Sequence, residues 1–489
     1  MIVRAVAVLA LVTVCVAASL YPTHSNSQME TTSTERAVTP YLPFDLPVGP
    51  SPRAVFAHYV PNFPISIENA DGTADYYQRE YLSPEGEGGI HSSYGGLLRD
   101  RPLPRAHLDQ SDWQLVDFAT EIAQAKSVGI DGFAIDVIKP RAQSDVVDNL
   151  LTAAARSANF KILITADISG PLLDLAVEDF VADISAYLAA PAAYRLADGT
   201  PVLSAFAAER RSPEWWATVL AALTARLHTK VAFVPVFVDV SNMTDYESIS
   251  YGLSAWGGRN PRGMGLSNHA PGSPADLIDQ AHDRGKIWMQ SVPFQDTRPR
   301  GGVFEESVNG TTNRMAWQLA IEEEAEWVQL ITWNDYAEST AMAPSVAHGW
   351  RMLDLNAYDI AMFKWGGIPR ITRDAIYVSY RTQPAAALPA YPQTLLMRPA
   401  PDSVEPRDAI EVVSFATAGA RIEIAAGDHL TSCSVGGGRG ICVAPLQLGP
   451  FTVTMTRDGA VVASARADIP VVDHPFVQDL QYRLVGGLR

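Results

Sequence analysis

At 489 residues, 47% of them hydrophobic, the chain has material for a barrel-sized core and an accessory domain. A formal net charge of −17 and a pI near 5.0 argue against nucleic acid and against an anionic membrane surface as partners. Neutral and cationic ligands remain open.

The chain opens with Arg4 and an apolar run to about Leu20, with the small residues Ala17, Ala18 and Ser19 near its end. That run is short for a membrane span and has the pattern of a secretory signal over residues 1–20. It implies a secreted or periplasmic protein with no stable membrane partner after cleavage, an uncleaved anchor being the alternative. Residues 21–53 are rich in Ser, Thr and Pro and read as a linker. After the signal only Cys433 and Cys442 remain, flanking SVGGGRGI, and in an exported protein they are expected to form a disulfide across a hairpin.

From Ala54 strands and helices alternate. AVFAHYV (54–60) is the first strand, followed by a long Gly-, Pro- and Tyr-rich connection to Ser111 and a helical pattern from Asp112. GFAIDVI, KILITADI, PVLSAFA, VAFVPVFVD, GLSAWGG, KIWMQSVPF and WVQLITW supply seven more strands. Ser212-Pro213 and Ser273-Pro274 mark helix starts, a capping side chain followed by a residue that needs no N–H. Eight strands alternating with helices predict a (β/α)8 TIM barrel over residues 54–393. A doubly wound sheet is the alternative, but no Gly-rich phosphate loop follows the first strand. Residues 394–489 switch to period-two segments separated by Gly and Asp-Gly, the pattern of a small antiparallel β domain, sandwich-like.

In a parallel barrel, chemistry gathers at the carboxyl ends of the strands. Those ends offer His58, Asp136, Asp167, Asp239, Trp256, Gln290 and Asn334 as substrate-binding groups, capped loops or satisfied core groups being the alternative for each. The last strand runs into WNDYAEST, where Asp335 and Glu338 stand three residues apart beside Trp333 and Tyr336. Two carboxyl groups in one cleft can divide into acid and base, because their surroundings push their pKa values apart. With 54 Asp and Glu in the protein, a D-x-x-E pair is common on a solvated surface, so the buried strand before it and the aromatic neighbours carry the argument. A barrel metallohydrolase would show His-x-His after its first strand, but the sequence there is His58-Tyr59-Val60. There is no H-E-x-x-H, so no metal is expected, and no G-x-S-x-G for a serine nucleophile. Carboxylate chemistry with stacking aromatics remains, which is the toolkit of glycoside hydrolysis.

VFAHYV, AKSVGIDGFAIDVI and above all TWNDYAEST resemble glycoside hydrolase family 71, the α-1,3-glucanases or mutanases, whose corresponding stretches read like VFAHF, GIDAFALN and TWNDYGES. The resemblance covers roughly Ala54 to Trp365. It implies a (β/α)8 barrel without cofactor, a polysaccharide or oligosaccharide substrate, and hydrolysis of α-1,3-glucosidic bonds with inversion by Asp335 and Glu338. The endo-α-mannosidases of family 99 carry two carboxyl residues at the same spacing and are the alternative for substrate. A glycan-binding barrel without catalysis is a further alternative. The sequence departs from family 71 at Asp136, where Asn is common, and at Ala337, where Gly is common.

Overall fold

The computed structural model describes residues 36–37, 41–47, 49–70, 75–265 and 269–489. The expected export signal at 1–20 lies outside them. No helix among the described residues is long and apolar enough to cross a membrane.

Eight parallel strands close into a barrel in sequence order: β1 Ala54–Tyr59, β2 Gly132–Val137, β3 Lys161–Asp167, β4 Val202–Phe206, β5 Ala232–Phe237, β6 Gly252–Ala255, β7 Ile287–Pro293 and β8 Trp327–Ile331. β8 pairs back onto β1, with Trp327 opposite Ala54. Gly132 opens β2 where a Cβ would stand 2.2 Å from the Lys161 carbonyl oxygen, so no larger residue fits that close approach.

The strands alternate between two layers. Phe56, Ala134, Leu163, Val234, Met289 and Trp327 fill the barrel axis. Val55, Ile135, Ile164, Phe233, Trp288 and Val328 face the helices. Those helices are α1 Trp113–Lys126, α2 Val146–Ala155, α3 Val177–Ala189, α4 Pro213–Leu227, α5 Pro274–His282, α6 Thr311–Glu322 and α7 Arg351–Trp365. Ser212 and Ser273 cap α4 and α5 as their sequence predicts, accepting from the backbone N–H of Trp215 and Asp276. A 3-10 turn over Met243–Ile249 takes the place of a helix between β5 and β6. Asp131 lies at the opposite end of the barrel from the strand carboxyl ends, accepting from Val55 N and paired with Lys364 at 2.6 Å.

Two four-stranded antiparallel sheets follow, enclosing a core of Ile376, Val412, Ile424 and Val453 among others. One of their strands, Ala375–Tyr380, lies before residue 394, where the sequence pattern put the start of this domain. All six of its residues are buried, so it lacks the alternation that marked the later strands. Cys433 and Cys442 are bonded, with Cα atoms 5.9 Å apart. The bond is not across a hairpin: His429–Val435 and Gly438–Pro445 belong to different sheets, and the disulfide ties the two layers together.

The sandwich is seated on α7. Phe415 packs on Tyr358 at 5.1 Å, and Arg439 pairs with Asp359 at 2.7 Å. Part of the expected linker is wedged into the same seam. Leu42, Phe44 and Leu46 are buried and Phe44 stands 5.1 Å from Tyr358, so residues 41–47 are packed structure and not linker. Their apolar residues alternate, the pattern of an extended segment with one buried face.

Candidate active site

β8 ends in a loop that closes on itself. Thr332 N donates to Thr340 O, Met342 N donates to Thr332 O, and the Thr332 and Thr340 hydroxyls meet at 3.0 Å. Trp333 N reaches the His58 carbonyl, which continues the pairing of β8 with β1. On this loop Asp335 N donates to Thr332 Oγ1, and Asp335 Oδ1 accepts from Ala337 N and Glu338 N at 3.0 and 3.1 Å. The carboxylate is thus fixed by its own turn, and the same turn brings Glu338 beside it.

Glu338 is held from the other side. Its carbonyl accepts from Thr297 N at 2.8 Å, and its Oε2 lies 3.3 Å from Arg298 Nη2. Arg298 is clamped on Asp296 by two hydrogen bonds of 2.7 and 2.5 Å. Behind Asp296, Arg259 Nε stands 3.8 Å from its carboxylate, with the guanidinium 5.0 Å from the Trp256 ring. Burial pushes both loop carboxyls up. Asp335 rises to about 6, opposed by its two backbone donors. Glu338, which also feels Asp335 and Asp296, rises to about 8 against the pull of Arg298 and Arg259. Around neutrality, Glu338 is the group that keeps its proton and Asp335 the one that ionises first.

Both carboxyls open on a cleft of about 610 Å³ that also takes in Asn62, Tyr76, Arg298 and Arg300. A larger groove of about 1040 Å³ runs between barrel loops and sandwich past Trp350 and Arg489. Asp468 is the one acid in its lining among the described residues, and it is paired with Arg483 at 2.9 Å.

A second polar cluster sits deeper, on the barrel axis. Gln329 Nε2 donates to His58 Nδ1 at 2.7 Å, which leaves the ring proton on Nε2, 3.7 Å from Asp136 Oδ2. Asp167, raised by burial and by Asp136, accepts from Ser169 N. Trp256 stands edge-on to His58 at 4.9 Å and to Phe206 at 4.8 Å. His58, Asp136, Asp167 and Trp256 therefore do gather at the mouth.

Five other residues expected to bind substrate are placed elsewhere. Gln290 faces the helices, bonded to Trp288 Nε1 and Ser291 O, because side chains alternate along β7 and the inward residue is Ser291. Asn334 spends its amide on the Val60 backbone, accepting from N at 2.8 Å and donating to O at 2.9 Å. Trp333 is fully buried against Phe133 at 4.8 Å, and Tyr336 is buried between Phe63 and Tyr77. Asp239 is exposed and caps its own loop through Ser241 N. Gln329, Asp296, Arg298 and Arg259 went unread in the sequence. Gln329 could have been found by parity, two residues from the inward Trp327. Arg259 sits in the loop after β6 and Asp296 and Arg298 on a three-residue strand, Asp296–Arg298, too short to show a pattern.

The mouth does not group ligands for a metal. Among the described residues, the His, Asp and Glu side chains that bring ligand atoms within 4.8 Å of one another are His269, Asp279 and Glu323, away from this site, where His269 Nδ1 is bonded to Asp279.

The sequence model of Glycosyl hydrolase family 71 matches residues 107–481. A glucan endo-1,3-alpha-glucosidase (agn1) of Schizosaccharomyces pombe is 24% identical over 388 residues, 72% of this chain and 85% of that one. A mutanase of Penicillium rubens is also 24% identical, over 74% of this chain and 83% of its own. Among solved structures, an endo-alpha-mannosidase of Bacteroides thetaiotaomicron superposes with a TM-score of 0.49 at 16% identity, covering 63% of this chain and 97% of that one.

Proposed function

The chain belongs to glycosyl hydrolase family 71, and from that premise we propose that this glycoside hydrolase cleaves α-1,3-glucosidic bonds of an α-glucan, with inversion, through Asp335 and Glu338. The observation that carries the reading is the pair itself: two carboxyls on one loop, open to one cleft, with Glu338 pushed above neutrality and Asp335 below it. Glu338 acts as general acid, protonating the glycosidic oxygen as the bond to the leaving sugar breaks. Asp335, held as carboxylate by two backbone donors, takes a proton from water as that water attacks the anomeric carbon from the opposite face. One acid and one base are consumed per turnover, and proton exchange with solvent restores both.

Arg298 is a positioning residue for the acid. It binds one oxygen of Glu338 and leaves the other to carry the proton, while Asp296 fixes the guanidinium. The axial cluster of His58, Asp136, Asp167 and Trp256 receives the sugar on the barrel side, offering hydrogen-bond partners around a half-buried indole. The site asks nothing of a metal or organic cofactor. The names of the two relatives support an α-1,3-glucan as substrate, and the signal-like run at 1–20 supports a secreted or periplasmic site of action.

The test is product analysis on a panel of α-1,3-, α-1,4- and α-1,6-glucans and α-mannans, with the first-formed anomer read by NMR. Release of β-configured oligosaccharides from α-1,3-glucan alone is the expected result. Cleavage confined to an α-mannan would replace the substrate reading, and an α-configured first product would replace inversion.

A further inference from the structure

The acid pair shares its cleft with a second group of side chains. This wall consists of Asn62, Phe63, Tyr76 and Leu97 from the connection after β1, joined by Arg300. Asn62, Phe63, Tyr76 and Leu97 precede the stretch that the family model matches, which begins at residue 107, whereas Arg300 lies within it.

The wall is held from behind. Phe63 and Tyr77 meet Tyr336 of the catalytic loop edge-on, at 5.7 and 5.6 Å. Arg101 pairs with Asp75 at 3.3 Å and lies over the Tyr77 ring. Segments that follow the barrel brace it as well: buried Arg99 donates to Gln478 O at 2.6 Å, and Leu395 N donates to Ser93 O at 2.8 Å. On this fixed backing Tyr76 packs against Tyr77 at 5.4 Å and donates its hydroxyl to Glu87 at 3.2 Å, leaving its ring half-buried at the cleft. Arg300 is exposed at the cleft and has no ion pair among the described residues.

An ordered aromatic ring and an uncommitted guanidinium beside an acid pair suit a sugar: the ring covers an apolar C–H face and the guanidinium donates to hydroxyl oxygens. A cleft of about 610 Å³ falls in the range that encloses ligands larger than one sugar ring. We propose that Tyr76 and Arg300 form a subsite for the glucosyl unit next to the scissile bond, stacked on Tyr76 and hydrogen-bonded by Arg300. The subsite rests on the α-glucan reading above and adds to it a chain-length preference set by the first connection.

The experiment is kcat/KM along a ladder of α-1,3-linked gluco-oligosaccharides for the wild type, Tyr76→Ala, Tyr76→Phe and Arg300→Met, with melting temperatures alongside. The wild type should gain sharply at the one step where the added unit reaches the wall. Tyr76→Ala should lose about tenfold of that gain, mainly through KM. Tyr76→Phe should keep it, and Arg300→Met should lose a smaller part. A step that survives intact in Tyr76→Ala and Arg300→Met overturns the proposal. If Tyr76→Ala melts early, Arg300→Met at its exposed position decides alone, in the same terms. Failure of the substrate reading is separable. If the wild type cleaves a different α-glycan, the ladder is built from that glycan, and the same step decides for or against the wall.

Discussion

Two groups of acids share the mouth of this barrel, and their surroundings differ. On the axis, Asp136 and Asp167 face His58, at 8% exposure or less, with no ion pair closer than 3.7 Å among the described residues. On the loop after β8, Asp335 and Glu338 are partly exposed to a cleft, tied by backbone donors and faced by the cation of Arg298. The axial acids sit in a closed floor. The loop acids can exchange protons with water and substrate. Burial alone therefore does not separate the two groups in this protein; access to a cleft and a rigid tether do.

The sharpest way to break this comparison is to neutralise each group in turn. Asp335→Asn and Glu338→Gln should each lower turnover of the natural glycan by ~10²–10⁴-fold with the melting temperature preserved, because each removes proton chemistry at nearly constant size. Kinetics paired with thermal melting check this. Normal turnover in either variant would return that residue to the status of the axial acids.

Next in size is Arg298→Met. It removes the cation paired with Glu338 at 3.3 Å and should lower kcat/KM by about 10–100-fold. The groups facing Glu338 are Asp335, Asp296, Arg298 and Arg259. Losing one of the two cations disfavours the carboxylate and raises its pKa further. The alkaline limb of the kcat/KM profile, expected near 8 in the wild type, should therefore move to higher pH. A limb that stays in place would show that Arg298 does not act through Glu338.

Asn334→Ala should act through structure. Its amide makes both hydrogen bonds to the Val60 backbone, and leaving those buried groups unpaired costs about 1–3 kcal/mol. Chemical denaturation reads that loss directly. Smallest is Asp136→Asn, which should change kcat/KM by about tenfold or less, a single step of about 1.4 kcal/mol. A loss as large as that of Glu338→Gln would move proton chemistry to the axis.

The same contrast explains what could be read from the sequence. Strand runs such as KILITAD and WVQLI are short, apolar and bounded, so all eight barrel strands were legible, as were the serine caps of α4 and α5. That Asp335 and Glu338 share one loop was legible because TWNDYAEST is local in sequence. Side-chain direction was harder to read. Gln290 and Ser291 are neighbours, and only strand parity separates a helix-facing amide from an inward hydroxyl. Trp333 and Tyr336 sit in a motif rich in polar groups but serve as the apolar anchors of its loop. Asp296 and Arg298 come from an irregular hairpin, and their role exists only through a contact with Glu338 some forty residues later. A buried strand such as Ala375–Tyr380 shows no alternation, so the sandwich begins earlier in the fold than the sequence pattern implies.

The division of labour within the pair is the central claim, and an activated leaving group tests it most directly. An aryl or fluoride α-glucoside needs little protonation on departure but still needs an activated water. Turnover by Glu338→Gln should therefore recover substantially on such a substrate relative to wild type, while Asp335→Asn stays impaired. Recovery of Asp335→Asn with none in Glu338→Gln would contradict the account and exchange the two roles.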